Sequence, residues 1–307
     1  MAKRTALDDL ELSLGKRTRL HRLLYEHGPG NGTLLLLPID HGVEHGPIDF
    51  FPNPPSADPD YHCRLAREGG YSGIVFHIGL ASKYMRDYAG DVPLILKVNG
   101  RPHIPSGDRP LSTLDATVED AVRLGADGVG YTLYVGSPRQ SEDFTQLTRV
   151  RSECERYGMP LIVWSYPRGE AIQRKGGRDS IYAVDYAARL ANELGADVVK
   201  LNVPKFRDPA NADSPEPYRK LYEAWQALDE EEAYRRTVEK VTASAGKTMV
   251  LFSGGSKISD EDLLRKARIC VQAGATGLIF GRNMWQRPYE EGLRITKRVK
   301  EMLLSVD

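Results

Sequence analysis

Two kinds of apolar segment alternate along this chain. One is a near-continuous hydrophobic run: Thr33 to Ile39, Val92 to Val98, Met159 to Val163 and Thr248 to Phe252. The other is a helix-like stretch that stops at glycine and passes at once into a short strand: Glu68-Gly69-Gly70-Tyr71-Ser72-Gly73-Ile74-Val75, Leu124-Gly125-Ala126-Asp127-Gly128-Val129, Leu194-Gly195-Ala196-Asp197-Val198-Val199 and Ala273-Gly274-Ala275-Thr276-Gly277-Leu278-Ile279. Each glycine stands where a left-handed helix cap needs one. Interleaved, the two kinds give eight strands separated by helical stretches. Strands without a polar face belong to a parallel sheet covered by its crossover helices. Eight such units in roughly 250 residues predict an α/β protein of the closed parallel (β/α)8, or TIM barrel, type. The alternative, an open doubly wound sheet, would carry a G-x-G-x-x-G turn after a strand, and none occurs.

Before the first strand, Leu7, Leu10 and Leu14, then Leu20, Leu23 and Leu24, fall at helical spacing. Residues 1–32 are therefore predicted as a helical extension, one or two helices packed on the outside or base of the barrel and ended by Gly28-Pro29-Gly30-Asn31-Gly32. Tyr289 to Val306 reads as a terminal amphipathic helix. With no interdomain linker, residues 1–307 are expected to form one domain. Pro47, Pro52, Pro54, Pro55 and Pro59 suggest a stiff, extended loop over the barrel mouth, and Pro204 to Pro217 a lid.

Alternation within Val198 to Asn202 puts Val198, Lys200 and Asn202 on one strand face, Val199 and Leu201 on the other. A lysine thus enters an apolar strand. An unpaired buried ammonium tends to lose its proton, which leaves a nucleophilic amine; the bland alternative is a lysine snorkelling to water from a strand end. In barrels of this kind chemistry sits at the C-terminal strand ends. Those ends supply Asp40 and His41, Lys97 and Asn99, Tyr131 and Tyr134, Trp164 and Tyr166, Lys200 and Asn202, Ser253-Gly254-Gly255, and Gly281-Arg282-Asn283. Asp40, Lys97 and Lys200 would shift one another's pKa values at a common mouth; the bland alternative for Asp40 is an Asx turn or a helix cap. The glycines after strands seven and eight, with Arg282, fit a phosphate cradle. His41-Gly42-Val43-Glu44-His45 formally matches H-x-x-E-H, but Gly42 and Gly46-Pro47 argue against a helix there, so no metal site is expected.

Composition narrows the partners. Lys+Arg and Asp+Glu are both 42, so no global field draws the chain to nucleic acid or membrane. Three cysteines, Cys63, Cys154 and Cys270, show no metal or redox spacing and suit a reducing cytosol. Met1 to Ser13 carries five charges where a signal peptide would have an apolar core, and a cytoplasmic protein is expected.

The strand-end motifs resemble those of the class I fructose-bisphosphate aldolases of the archaeal type, within the deoxyribose-phosphate aldolase and autoinducer-processing aldolase superfamily. The resemblance rests on Pro38-Ile39-Asp40-His41-Gly42-Val43-Glu44-His45, Leu96-Lys97-Val98-Asn99, Tyr134-Val135-Gly136-Ser137, Val163-Trp164-Ser165-Tyr166-Pro167-Arg168, Ala196-Asp197-Val198-Val199-Lys200, Ser253-Gly254-Gly255 and Ile279-Phe280-Gly281-Arg282. Longer bacterial members have Asp-Gln-Gly where this chain has Asp40-His41-Gly42, which leaves the fine specificity open. The resemblance implies reversible aldol cleavage of fructose 1,6-bisphosphate through a Schiff base on Lys200, with Tyr166 moving protons, Asp40 as acidic partner, Trp164 as a pocket wall, and Ser253, Gly254, Gly255, Gly281 and Arg282 holding phosphate. His41, Lys97 and Asn99 are expected at the substrate. No cofactor, metal or nucleic acid is implied, and a homo-oligomer is. The second phosphate is expected at the basic stretch Arg168 to Arg178, with Arg168 and Arg174 foremost. Other readings remain: a transaldolase-like or acyl-transferring relative on another phosphorylated ketose, or a barrel isomerase without a covalent intermediate.

Overall fold

The computed structural model describes residues 4–105, 107–255 and 257–306, so the first three residues of the expected extension lie outside it. Eight strands form a closed, all-parallel barrel: β1 (Leu34–Pro38), β2 (Gly73–His77), β3 (Leu94–Lys97), β4 (Gly128–Val135), β5 (Leu161–Pro167), β6 (Val198–Asn202), β7 (Met249–Ser253) and β8 (Gly277–Ile279). The ring closes where β1 pairs with β8. Gly70, Gly125, Gly195 and Gly274, the helix stops seen in the sequence, take φ of 63°, 66°, 85° and 97°. A side chain there would collide with its own backbone.

Because side chains alternate, each strand serves two cores. Leu35, Leu37, Phe76, Val199 and Leu201 point outward into the layer under the helices. Leu34, Leu36, Val75, Ile95, Ile162, Trp164, Val198 and Leu251 fill the barrel itself. That inner core is completed from below by Leu7, Leu20, Leu23 and Leu24. The extension thus plugs the base, as a 3-10 turn Leu7–Asp9 and a helix Leu14–His21 that widens into a π turn Arg22–Glu26. Buried Lys16 fastens it by pairing with Asp197 at 2.9 Å, and Arg22 Nη1 donates to Asp127 Oδ1 at 2.8 Å.

Register then sets the height of the polar residues. His77 stands beside Lys97, Lys97 beside Gly130, Tyr134 beside Tyr166, Trp164 beside Lys200, and Asn202 beside Ser253. These pairs sit at or near the C-terminal strand ends, above the apolar layers.

One expectation is corrected. The loop after β1 is not extended: His41–Glu44 makes one helical turn, followed by 3-10 turns Pro47–Phe50 and Pro54–Ala57. Gly42 is compatible with the first turn, and each later turn starts on a proline, whose fixed φ suits a first helical position. The stretch after β6 is tethered: the 3-10 turn Pro209–Asp213 contains buried Asn211, whose Oδ1 accepts from Ile181 N at 3.0 Å. The terminal helix spans Tyr289–Leu304.

Candidate active site

At the mouth lies a cavity of about 1940 Å³, lined by Asp40, His41, Tyr166, Arg168, Lys200, Ser253, Gly254, Gly255, Gly281 and Arg282 among others. The remaining expected residues, Lys97, Trp164 and Asn99, are fully buried in its walls. Asn99 is a correction. Its Oδ1 accepts from Thr132 N at 2.7 Å and its Nδ2 donates to Thr132 O at 2.9 Å, so the amide fastens β4 and is not presented to a substrate.

Two lysines enter the site, Lys97 from β3 and Lys200 from β6, and their surroundings differ. Lys97 Nζ donates to Asp40 Oδ2 at 3.1 Å and to Glu44 Oε1 at 3.2 Å. Burial alone would depress its pKa, but the two carboxylates outweigh it and hold the ammonium up to about 12. Lys200 is only 7% exposed and has no ion-pair partner among the described residues. Its Nζ lies over the rings of Trp164 (5.4 Å) and Tyr166 (5.3 Å). Burial, assisted by the charges of Lys97 and Arg282 and opposed by Asp40 and Glu44, brings it down to about 8. One amine is therefore locked as a cation and the other is poised to lose its proton.

Asp40 stays ionised. Its burial favours the neutral acid, but Lys97 and Lys200 beside it hold the carboxyl well below the usual range. Tyr166 is pushed well above its ordinary value, by burial first and then by the charges of Glu44 and Asp40, so it keeps its proton at neutral pH. Its ring is stacked by Arg168, whose guanidinium carbon lies 5.1 Å from the centroid. A neutral amine beside a carboxylate and a protonated phenol can add to a carbonyl and pass on the protons that follow.

Across the mouth, Ser253 Oγ donates to Asn202 Oδ1 at 2.9 Å and Gly255 takes a φ of 63°. A Cβ on Gly254 would meet Asn283 Nδ2 at 2.8 Å, and one on Gly281 would meet His41 Cε1 at 2.8 Å. Both glycines line the cavity at places where neighbouring atoms leave no room for a side chain. Arg282 reaches Asp49 Oδ2 at 3.9 Å. His41 is half-buried, edge-on to Trp285, and desolvation keeps it neutral, with a pKa down to about 4.

The basic stretch splits. Arg168 and Arg178 line the cavity, whereas Arg174 is exposed and ion-paired with Glu170 one turn earlier on the surface. Sequence reasoning missed Glu44, which shares a helical turn with Asp40; the i, i+4 spacing of the two acids was the available signal. It also missed His77, whose Nδ1 lies 2.7 Å from Asp115 Oδ2, and the pair His45 and His103 at the rim, with ring centroids 4.7 Å apart.

Residues 34–287 match the family described as DeoC/LacD family aldolase. The class 1 fructose-bisphosphate aldolase of Thermoproteus tenax is 40% identical over 273 residues, covering 89% of this chain and 90% of that protein. That of Halobacterium salinarum is 36% identical over 259 residues, covering 84% and 86%. Among solved structures, an archaeal fructose-1,6-bisphosphate aldolase with its catalytic lysine covalently bound to the carbinolamine intermediate of the substrate is similar at 36% identity. It has a TM-score of 0.77 and covers 93% of this chain and 100% of that one.

Proposed function

The chain belongs to the DeoC/LacD family of aldolases, and from that premise we propose that it cleaves fructose 1,6-bisphosphate reversibly through a Schiff base on Lys200. The observation that carries this reading is the contrast between the two buried lysines, of which Lys200 alone lacks a carboxylate partner among the described residues. Lys200 Nζ adds to the C2 carbonyl to give a carbinolamine, and loss of water leaves an iminium. The iminium draws the electron pair of the C3–C4 bond as that bond breaks, so no Lewis acid is needed. The C4 hydroxyl gives up its proton as glyceraldehyde 3-phosphate leaves. The enamine is then protonated at C3, and hydrolysis releases dihydroxyacetone phosphate and regenerates the amine.

Tyr166, which keeps its phenolic proton, is assigned the proton transfers at carbon and at the departing oxygen. Asp40 enters as a carboxylate and is assigned the proton traffic of carbinolamine dehydration. Trp164 shapes the wall behind Lys200, and Lys97 keeps Asp40 in place. Ser253, Gly254, Gly255, Gly281 and Arg282 are assigned to the phosphate next to the ketone, and Arg168 with Arg178 to the far one. Three free, buried cysteines and a formal net charge of zero support a cytoplasmic enzyme, and we infer a homo-oligomer, which light scattering of the purified protein would show. Among the described residues no helix is long and apolar enough to cross a membrane.

The test is reduction with borohydride in the presence of dihydroxyacetone phosphate, followed by peptide mass analysis. The expected result is a secondary amine on the peptide carrying Lys200. A barrel isomerase, which forms no imine, would leave every peptide unmodified, and a label on Lys97 would reverse the assignment of the two lysines.

A further inference from the structure

Glu44 pairs with Lys97 in this cluster, and the reaction above gives it no task. It occupies the last position of the turn that begins after Asp40, and its Oε1 accepts from Lys97 Nζ at 3.2 Å, a second bond beside the one from Lys97 to Asp40. Lys97 is fully buried, so its cation is neutralised by these two carboxylates and not by water. A single carboxylate would suffice to neutralise one ammonium. Two carboxylates and one ammonium leave the cluster one negative charge in excess while Lys200 is a neutral amine. Conversion of Lys200 to an iminium removes that excess and brings the four side chains to neutrality.

We propose that Glu44 is a positioning residue of the reaction, which holds Lys97 against the wall of the site and supplies the second negative charge that balances the cation formed on Lys200. The proposal rests on the Schiff-base reading. It also explains how Asp40 can take the proton released from Lys200 Nζ after addition to the carbonyl, and return it to the departing hydroxyl, without leaving Lys97 an uncompensated buried charge in between, because Glu44 remains bound to it. The other groups facing Lys200 are Asp40 and His41 after β1, Lys97 on β3, Tyr166 on β5 and Arg282 after β8; Glu44 also faces Tyr134 and His103. Among them only Asp40 and Glu44 carry negative charge. Both raise the proton affinity of Lys200.

The sign of the effect separates this role from a structural one. In Glu44→Gln the amide oxygen still accepts from Lys97, but the excess negative charge is gone. The acid limb of kcat/KM should move to lower pH by about one unit, a tenfold change in the neutral-amine fraction. The amount of borohydride-trapped protein with dihydroxyacetone phosphate should fall severalfold at the same time. Loosening of the site would do the reverse to the limb, since water admitted to Lys200 returns it toward an ordinary lysine. Glu44→Asp, which keeps the charge, should recover most of the trapping. The double variant Glu44→Gln/Lys97→Met removes one charge of each sign and should bring the limb back toward the wild-type pH. A limb in Glu44→Gln that is unmoved or shifted upward overturns the proposal, as does failure of both Glu44→Gln and the double variant to fold, which would make Glu44 a structural residue. A wild type that is not trapped at all refutes the Schiff base itself, and so the two failures are distinct.

Discussion

Lys97 and Lys200 are indistinguishable by sequence pattern, since each is a lysine on the inner face of an apolar strand. Alternation along the strand was enough to place both at the mouth. Their division of labour was not legible, because it depends on Asp40 and Glu44, which reach Lys97 from a turn more than fifty residues away in sequence. Two predictions belong at this scale. Lys200→Met fills the same space without an amine, and Lys200→Arg cannot deprotonate at working pH. Both should lose more than about a thousandfold in turnover while circular dichroism and melting stay near wild type, and Lys200→Met removes the cost of an unpaired buried ammonium. Retention of activity within tenfold in either would refute the covalent role. The second concerns pH. The attacking form is the neutral amine and the pKa lies at about 8, so the active fraction grows as pH rises through 8. kcat/KM should therefore fall about tenfold per unit below that point, since it reports the free enzyme. A flat profile between pH 6 and 8 would show that Lys200 is not the titrating group.

Among the elements, the strands and the glycine-capped helices followed from the sequence, while the loops did not. Proline in the β1 loop suggested extension because its ring fixes φ; the same fixed φ starts a 3-10 turn when the proline comes first, as Pro47 and Pro54 do. A similar error affected the basic stretch after β5. Read as a string, Arg168 and Arg174 were equivalent, yet the short helix Glu170–Gln173 turns Arg174 to the surface, where Glu170 pairs with it. Arg168→Gln should accordingly raise KM for fructose 1,6-bisphosphate by roughly tenfold or more, the loss of one charge-assisted bond of about 1.5 to 3 kcal/mol. Cleavage of fructose 1-phosphate should hardly change. Arg174→Gln should leave both substrates unaffected, and a matching loss in the two variants would show that the far phosphate sits elsewhere. The end of β8 gives a further test. A Cβ at Gly281 would lie 2.8 Å from His41 Cε1 and 3.2 Å from Pro38 O, so Gly281→Ala must displace a ring and a strand carbonyl together. A destabilisation of about 1–3 kcal/mol and a raised KM are expected, read by thermal melting and steady-state kinetics.

At the scale of the whole molecule the three lysines buried among the described residues lie in two places, and the division follows the direction of the strands. Lys97 and Lys200 open onto the C-terminal mouth, whereas Lys16 comes from the N-terminal plug and closes the base, where this fold carries stability and not chemistry. Its ammonium is almost wholly buried between Glu155 and Asp197, and Asp197 in turn accepts from Leu161 N at 2.8 Å, tying the plug to the start of β5. Burial alone would lower the pKa of Lys16, but Asp197 and Glu155 together raise it. The stabilising contribution is therefore fully present below the ordinary lysine value and is lost only as pH rises beyond the raised one. Lys16→Met keeps the bulk but strands the Asp197 carboxylate in the interior. The cost should be about 3 kcal/mol, seen as a melting temperature lower by several degrees at neutral pH. Turnover measured well below that temperature should match wild type, and the acid limb near pH 8 should hardly move, because Lys16 closes the base at Asp197, just before β6, whereas Lys200 opens onto the mouth. A Lys16→Met protein that melts normally but turns over poorly would overturn this separation of the two ends and require a path from base to mouth through the inner core.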